Sequence, residues 1–247
     1  MMFAPEHVAS LLLKAAMRSR SFRPSAYLEI PAFALGSKPM LRFVLEIPED
    51  ANFKEACEAL SLGFSSKLIY LKSEGASWFS IVEYPTDKAR ALIVIGANQN
   101  SCDQLLEVET LDASYAGQML GYPSCCVESF PLLAKHGGQW GHVLAKTADS
   151  CSNINALTNR YAAEWGGGSL IGELFPCSLE CEHAKYYAIN LYQSAINLGL
   201  IRLANWAKND CLVPINLSND GTVLPMRNSG KAMLSFIWKK QYLLMNT

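Results

Sequence analysis

The sequence has no surplus of either charge, no long apolar run and no C-x-x-C pair. Lysine and arginine number 21 against 22 acidic residues, for a formal net charge of −1. That balance leaves no basic footprint for the phosphate backbone of a nucleic acid and none for an anionic membrane surface. No apolar stretch reaches membrane-spanning length. The opening MMFAPEHVASLLLKAAMRSR lacks the ordered basic flank, apolar run and small-residue cleavage site of a secretory signal, and Lys14 breaks its apolar run. The expectation is a cytoplasmic protein, with neither nucleic acid nor membrane as partner. In that compartment thiols stay reduced unless they bind metal or do redox work. Against these absences stand eight cysteines in 247 residues, half of them apolar, enough to bury a core without disulfides.

Pattern along the chain divides it near residue 112. His7 to Arg20 has the spacing of an amphipathic helix. Ser21 to Pro39, interrupted by Pro24, Pro31 and Pro39, reads as an irregular connection with a short strand at Tyr27 to Ile30. Leu41 to Ile47 reads as a strand, and Asp50 as the cap of a helix over Phe53 to Leu62 that Gly63 ends. Lys67 to Leu71 and Trp78 to Tyr84 form a hairpin about Ser73-Glu74-Gly75-Ala76, Ala91 to Ile95 adds a buried strand, and residues 96–101 are a polar loop.

The later half reads as mostly helical: Ala113 to Leu120, a helix opened by the paired cysteines and closed at His136, Cys151 to Trp165 before a Gly166-Gly167-Gly168 joint, and a long helix from Cys177. Gly199 interrupts that helix, which Leu200 to Lys208 continues. Cys211 to Leu217 and Thr222 to Met226 make a hairpin about Asn219-Asp220-Gly221, and Gly230 to Leu244 a final amphipathic helix. The fold class is α+β: a small α/β layer with a mainly antiparallel sheet over residues 1–112, for substrate or partner binding, then a mostly helical cysteine-bearing region over 113–247.

Chemistry concentrates in two stretches, GYPSCCVESF from Gly121 and FPCSLECEH from Phe175. Cys125 and Cys126 follow a Gly-Tyr-Pro turn and open a helix, while Cys177 and Cys181 sit one helical turn apart behind Pro176. A helix N-terminus favours thiolate, the form that attacks electrophiles and binds metals. Cysteines four apart on a helix are weak evidence alone, because buried cysteine is a common core residue. The adjacent pair on a turn tips the balance toward one shared four-thiol site.

Four thiolates hold a zinc ion or an iron–sulfur cluster, although adjacent cysteines are awkward partners for one small ion. The run Cys177-x-x-x-Cys181-x-x-Ala184 lacks the third ligand of the radical S-adenosylmethionine cradle, which disfavours that chemistry. His183 is a further candidate metal ligand, set against a capping role. Asn155 and Asn159, one turn apart, are candidates for holding a cofactor or substrate. Cys57 and Cys211 read as core, Cys102 and Cys151 stay unassigned, and Glu128, Glu180 and Glu182 read as complements to helix dipoles.

Gly121-Tyr122-Pro123-x-Cys125-Cys126, the segment Asn153 to Asn159, and Pro176-Cys177-x-x-x-Cys181 together resemble a prokaryotic family of unknown function, over Leu120 to Leu191. The resemblance implies that the four cysteines belong to one site; it supplies no activity. The expected function is a metal-dependent enzyme, with an iron–sulfur cluster bound through some of the four thiolates of Cys125, Cys126, Cys177 and Cys181 and with His183 as a further candidate ligand, doing redox or sulfur chemistry on a small molecule. Cys125 and Cys126 are its catalytic candidates. The alternatives are a zinc-stabilised binding module and a metal-free thiol oxidoreductase. The final helix carries apolar surface enough to dock on the core or to form a homo-oligomer.

Overall fold

A computed structural model describes residues 3–23, 26–71, 81–82, 85, 89–109, 111–135, 172–211, 215–217 and 223–225. Outside these lie the expected helix from Cys151 to Trp165 with Asn155 and Asn159, the glycine joint, His136, His142, both hairpin bends and the C-terminal helix. Two compact units divide the chain, Met1–Phe22 with Phe33–Tyr122, and Arg23–Ala32 with Pro123–Thr247. The architecture is α+β, an antiparallel sheet with helices in the earlier part and mainly helices after it. Among the described residues, no helix is long and apolar enough to cross a membrane.

The first unit is built on β1 (Met40–Leu45), β2 (Gly63–Leu71), β3 (Ile81–Val82) and β4 (Ala89–Gly96). Their order is β1-β4-β2-β3 and every pairing is antiparallel. β4 is central because it is buried on both faces: Leu92, Ile93, Val94 and Ile95 are all fully enclosed, as a continuous apolar strand should be. Pleating sends alternate residues to opposite faces. Met40 and Val94 pack with Cys102, Leu105, Ala116 and Leu120, residues of α4 (Gln99–Val108), of α5 (Ala113–Met119) and of the turn after it. Phe43, which points the other way, packs edge-on against Phe22 and alongside Phe53. Phe53 belongs to α3 (Asp50–Leu60), which packs on α1 (Pro5–Arg18).

Several local expectations are corrected. Residues 27–30 form no strand; α2 (Glu29–Ala34) begins there, with Pro31 in its first turn where the missing N–H costs nothing. The presumed polar loop at 96–101 turns into α4, because the Asn98 side chain accepts the backbone N–H of Ser101 and so caps a helix. Asp50 lies inside α3 and not before it, and the left-handed residue closing that helix is Ser61, φ 53°, while Gly63 opens β2. Cys102, unassigned from sequence, is core.

The second unit contains α6 (Ser124–Lys135), α7 (Glu182–Asn197), α8 (Ile201–Cys211) and the antiparallel pair β5 (Ile215–Leu217) and β6 (Val223–Pro225). Gly199, at φ 72°, separates α7 from α8 as expected. Cys211 closes α8 and does not start a strand. Ala184, Ala188, Leu191 and Ala195 form the buried stripe of α7. The N-terminal segment Arg23–Ala32 belongs to this unit: the Tyr27 ring meets the Trp206 ring of α8 edge-on at 6.2 Å, and burial raises the Tyr27 hydroxyl pKa well above its ordinary value.

Candidate metal centre

Two turns deliver the four sulfurs. The first is Gly121-Tyr122-Pro123, where Gly121 has φ 74° and an added Cβ would lie 2.7 Å from Pro39 Cδ. Only glycine meets both demands without strain. Lys38, buried beside it, donates from Nζ to the Leu120 carbonyl at 3.0 Å and lies 4.6 Å over the Tyr122 ring. A cation at the carbonyl end of α5 is the favourable polarity. The chain then enters α6, whose first turn is secured by Cys126 and Val127 N–H groups donating to the Pro123 carbonyl.

The second turn corrects the sequence reading. Cys177 is not on the long helix; it lies in a turn ahead of it, and Cys181 is the N-cap of α7. The Cys181 thiol takes the place of the usual capping oxygen, accepting the Ala184 backbone N–H at 3.4 Å. Phe130 of α6 meets Phe175 with ring centroids 5.9 Å apart. That contact fixes the approach to Cys177 against the first cysteine helix.

The four sulfurs converge. Cys125 and Cys126 Sγ are 3.9 Å apart, and each stands 3.7 Å from Cys181 Sγ. With Cys177 included, all four lie within 4.8 Å of one another. The adjacent cysteines therefore do share one small volume, against the expectation that neighbours are awkward partners. Helix onset makes this workable, because the backbone turns sharply enough between Cys125 and Cys126 for both thiols to face the second turn. Cys126 and Cys181 are buried, and Cys125 and Cys177 half-buried.

Three nitrogens border the sulfurs. His183 Nδ1 lies 3.5 Å from Cys125 Sγ, the Ala184 N–H addresses Cys181, and the Cys177 backbone N–H addresses Cys126. Helix-end placement alone does not ionise every thiol. Burial pushes Cys126 well above its ordinary pKa, outweighing the Cys177 N–H, and pushes Cys177 up to about 12, with its hydrogen bonds to Cys181 and Cys125 adding to the rise. Cys181 moves the other way: burial raises it, but the Ala184 N–H and the neighbouring thiols together carry it below its ordinary value. A crowded set in which one thiol ionises at the others' expense is one that a cation would neutralise as a whole.

The residues fit such an ion by count, element and spacing: four sulfurs, no competing carboxylate among them, within reach of one centre. His183 stands at the rim beside Cys125 and is not one of the four atoms that close together. Asn155 and Asn159 fall outside the described residues. The Ala184 and Cys177 N–H groups were invisible in sequence, since backbone donors carry no residue signature. Glu128, Glu180 and Glu182 are not part of the four-sulfur group.

Residues 87–196 match a family described as a protein of unknown function, DUF483, and the matched span contains all four cysteines and His183. Comparison with curated proteins and with solved structures finds no match.

Proposed function

We propose that Cys125, Cys126, Cys177 and Cys181 bind one tetrahedral metal ion, with zinc as the first candidate. The observation that carries this reading is the sulfur spacing. Four thiolates around zinc at the usual Zn–S length would form a tetrahedron with edges of about 3.8 Å; the three edges among Cys125, Cys126 and Cys181 are 3.7, 3.7 and 3.9 Å, and Cys177 Sγ lies within 4.8 Å of the other three. An iron–sulfur cluster, the first expectation from sequence, hangs its thiolates from different irons and needs them further apart. The spacing therefore favours a single ion over a cluster. Such an ion would neutralise the buried thiolates and tie α6 to α7, so that part of the unit's stability is metal-binding free energy. His183 serves best as a donor from Nδ1 to Cys125, orienting and partly neutralising that sulfur.

A second reading, thiol-dependent chemistry on a small molecule, is favoured by the exposure of one edge of the site. Cys125 is half-buried, and His183 Nδ1 stands 3.5 Å from its sulfur. On that reading Cys125 is the nucleophile and a neighbouring thiol resolves the product.

Metal analysis of freshly purified protein tests the first reading. One zinc per chain, released by a mercurial that blocks thiols and accompanied by a lower melting temperature, is the expected result. Iron with equimolar sulfide would return the site to the cluster reading. Protein that binds neither zinc nor cobalt after reduction would end the metal reading, and rapid alkylation confined to Cys125 would then support the second.

A further inference from the structure

Glu29 is the one acid of the Arg23–Ala32 segment, and it is 1 % exposed. It lies far from the cysteines in sequence, and nothing in its neighbourhood marked it as functional. Its Oε1 accepts two hydrogen bonds, from the Glu173 backbone N–H at 2.9 Å and from the Tyr187 hydroxyl at 3.3 Å. Glu173 lies in the stretch that leads into Cys177. Tyr187 lies on α7, which Cys181 caps. One carboxylate oxygen thus holds the chain on both sides of the second cysteine pair.

The surroundings are built to admit that carboxylate. Gly172 has φ 61°, and a Cβ added there would stand 2.3 Å from Glu29 Oε1. A side chain at 172 would therefore both strain the backbone and expel the acid. Arg23 Nη1 approaches Glu173 Oε2 at 3.8 Å, and Tyr27 packs on Trp206, so the segment is anchored at more than one point. A buried polar group is costly unless hydrogen-bonded, and Oε1 joins two groups that must keep a fixed separation.

We infer that Glu29 is a positioning residue for the metal site, holding Cys177 within the group of four sulfurs to which Cys181 belongs. The inference rests on the metal-binding reading. Outer groups that orient ligands are typically worth 10–100-fold in metal affinity. Because Oε1 accepts both bonds, an amide oxygen at the same place can accept them too, whereas a methyl group cannot.

The experiment is a cobalt(II) titration of the reduced, metal-free full chain. It follows the thiolate-to-cobalt charge-transfer band and the visible ligand-field bands, with zinc affinity read by competition. Wild-type protein must first show tetrahedral cobalt bands; their absence sinks the metal-binding reading itself and leaves the variants irrelevant. Given those bands, Glu29→Ala is expected to weaken cobalt and zinc binding by about 10–100-fold and to shift or dim the ligand-field bands. Glu29→Gln is expected to restore both. Tyr187→Phe, which removes only a hydroxyl, is expected to weaken binding about fivefold, the worth of one hydrogen bond. Wild-type affinity and spectrum in Glu29→Ala overturn the inference, and if that variant does not fold, an unaltered Tyr187→Phe does so.

Discussion

Cys126 Sγ and Cys181 Sγ lie 3.7 Å apart across a sequence separation of 55 residues, both buried. Two thiols drawn together in an apolar interior gain little from each other while protonated, since thiol hydrogen bonds are weak. Their neighbours Cys125 and Cys177 complete a set that becomes favourable once a cation draws off the protons.

Replacement of the buried pair is therefore expected to do more damage than replacement at the rim. Cys126→Ser and Cys181→Ser should each abolish stoichiometric zinc. His183→Ala should keep one ion per chain at about tenfold lower affinity and speed alkylation of Cys125. Zinc quantified in the purified variants checks this; full occupancy in Cys126→Ser would contradict it.

Arg42 and Glu109 form a pair inside the first unit, Nη1 to Oε1 3.1 Å, with the side chains 12 % and 3 % exposed. Burial raises the Glu109 carboxyl above its ordinary value, with the Arg42 charge opposing. Arg42→Met removes the charge that faces this buried carboxyl and should cost about 3–5 kcal/mol. The double variant Arg42→Met/Glu109→Leu should fall within about 2 kcal/mol of wild type or exceed it. Urea midpoints of the three proteins decide the point, and equal losses in single and double variants would refute it.

Gly121→Ala should destabilise the first unit by about 1–2 kcal/mol from the left-handed backbone alone, with the Pro39 contact adding to it. Lys38→Met should cost about 1–3 kcal/mol by leaving the Leu120 carbonyl without its charged donor. Both are read from chemical denaturation. A Gly121→Ala protein as stable as wild type would show that this turn is not held as described.

Cys57 and Cys102 are buried core thiols whose pKa values rise to about 12 and about 11, burial being the main cause for each. The folded values lie above the unfolded ones, so folding disfavours both thiolates. The stability they allow is full below pH 9 and is lost as pH climbs from there toward the folded values, at about 1.4 kcal/mol per pH unit per thiol. Cys57→Val should flatten that decline over pH 9–11, and native protein at pH 8 should resist alkylation at both positions. An unchanged slope in Cys57→Val would remove Cys57 as the source.

The sequence by itself determined the α+β class and, among the described residues, most of the regular elements, because these depend on short-range pattern; the four cysteines were expected as one group from two spaced motifs. β4 was legible as an unbroken apolar run, the hairpin of β2 and β3 from its flanks, and α7 from its alanine and leucine stripe. A resemblance to a family of unknown function was expected over Leu120 to Leu191, and residues 87–196 match the model of such a family. Tertiary structure alone decided what depends on partners distant in sequence. That Cys181 caps α7 through its sulfur, that neighbouring Cys125 and Cys126 share one volume, and that segment 23–32 joins the cysteine unit through Glu29 and Tyr27 are all such facts. A buried acid and a backbone N–H look the same in sequence whether they face water or each other, and only the closed chain, by excluding water, fixes which groups must satisfy one another.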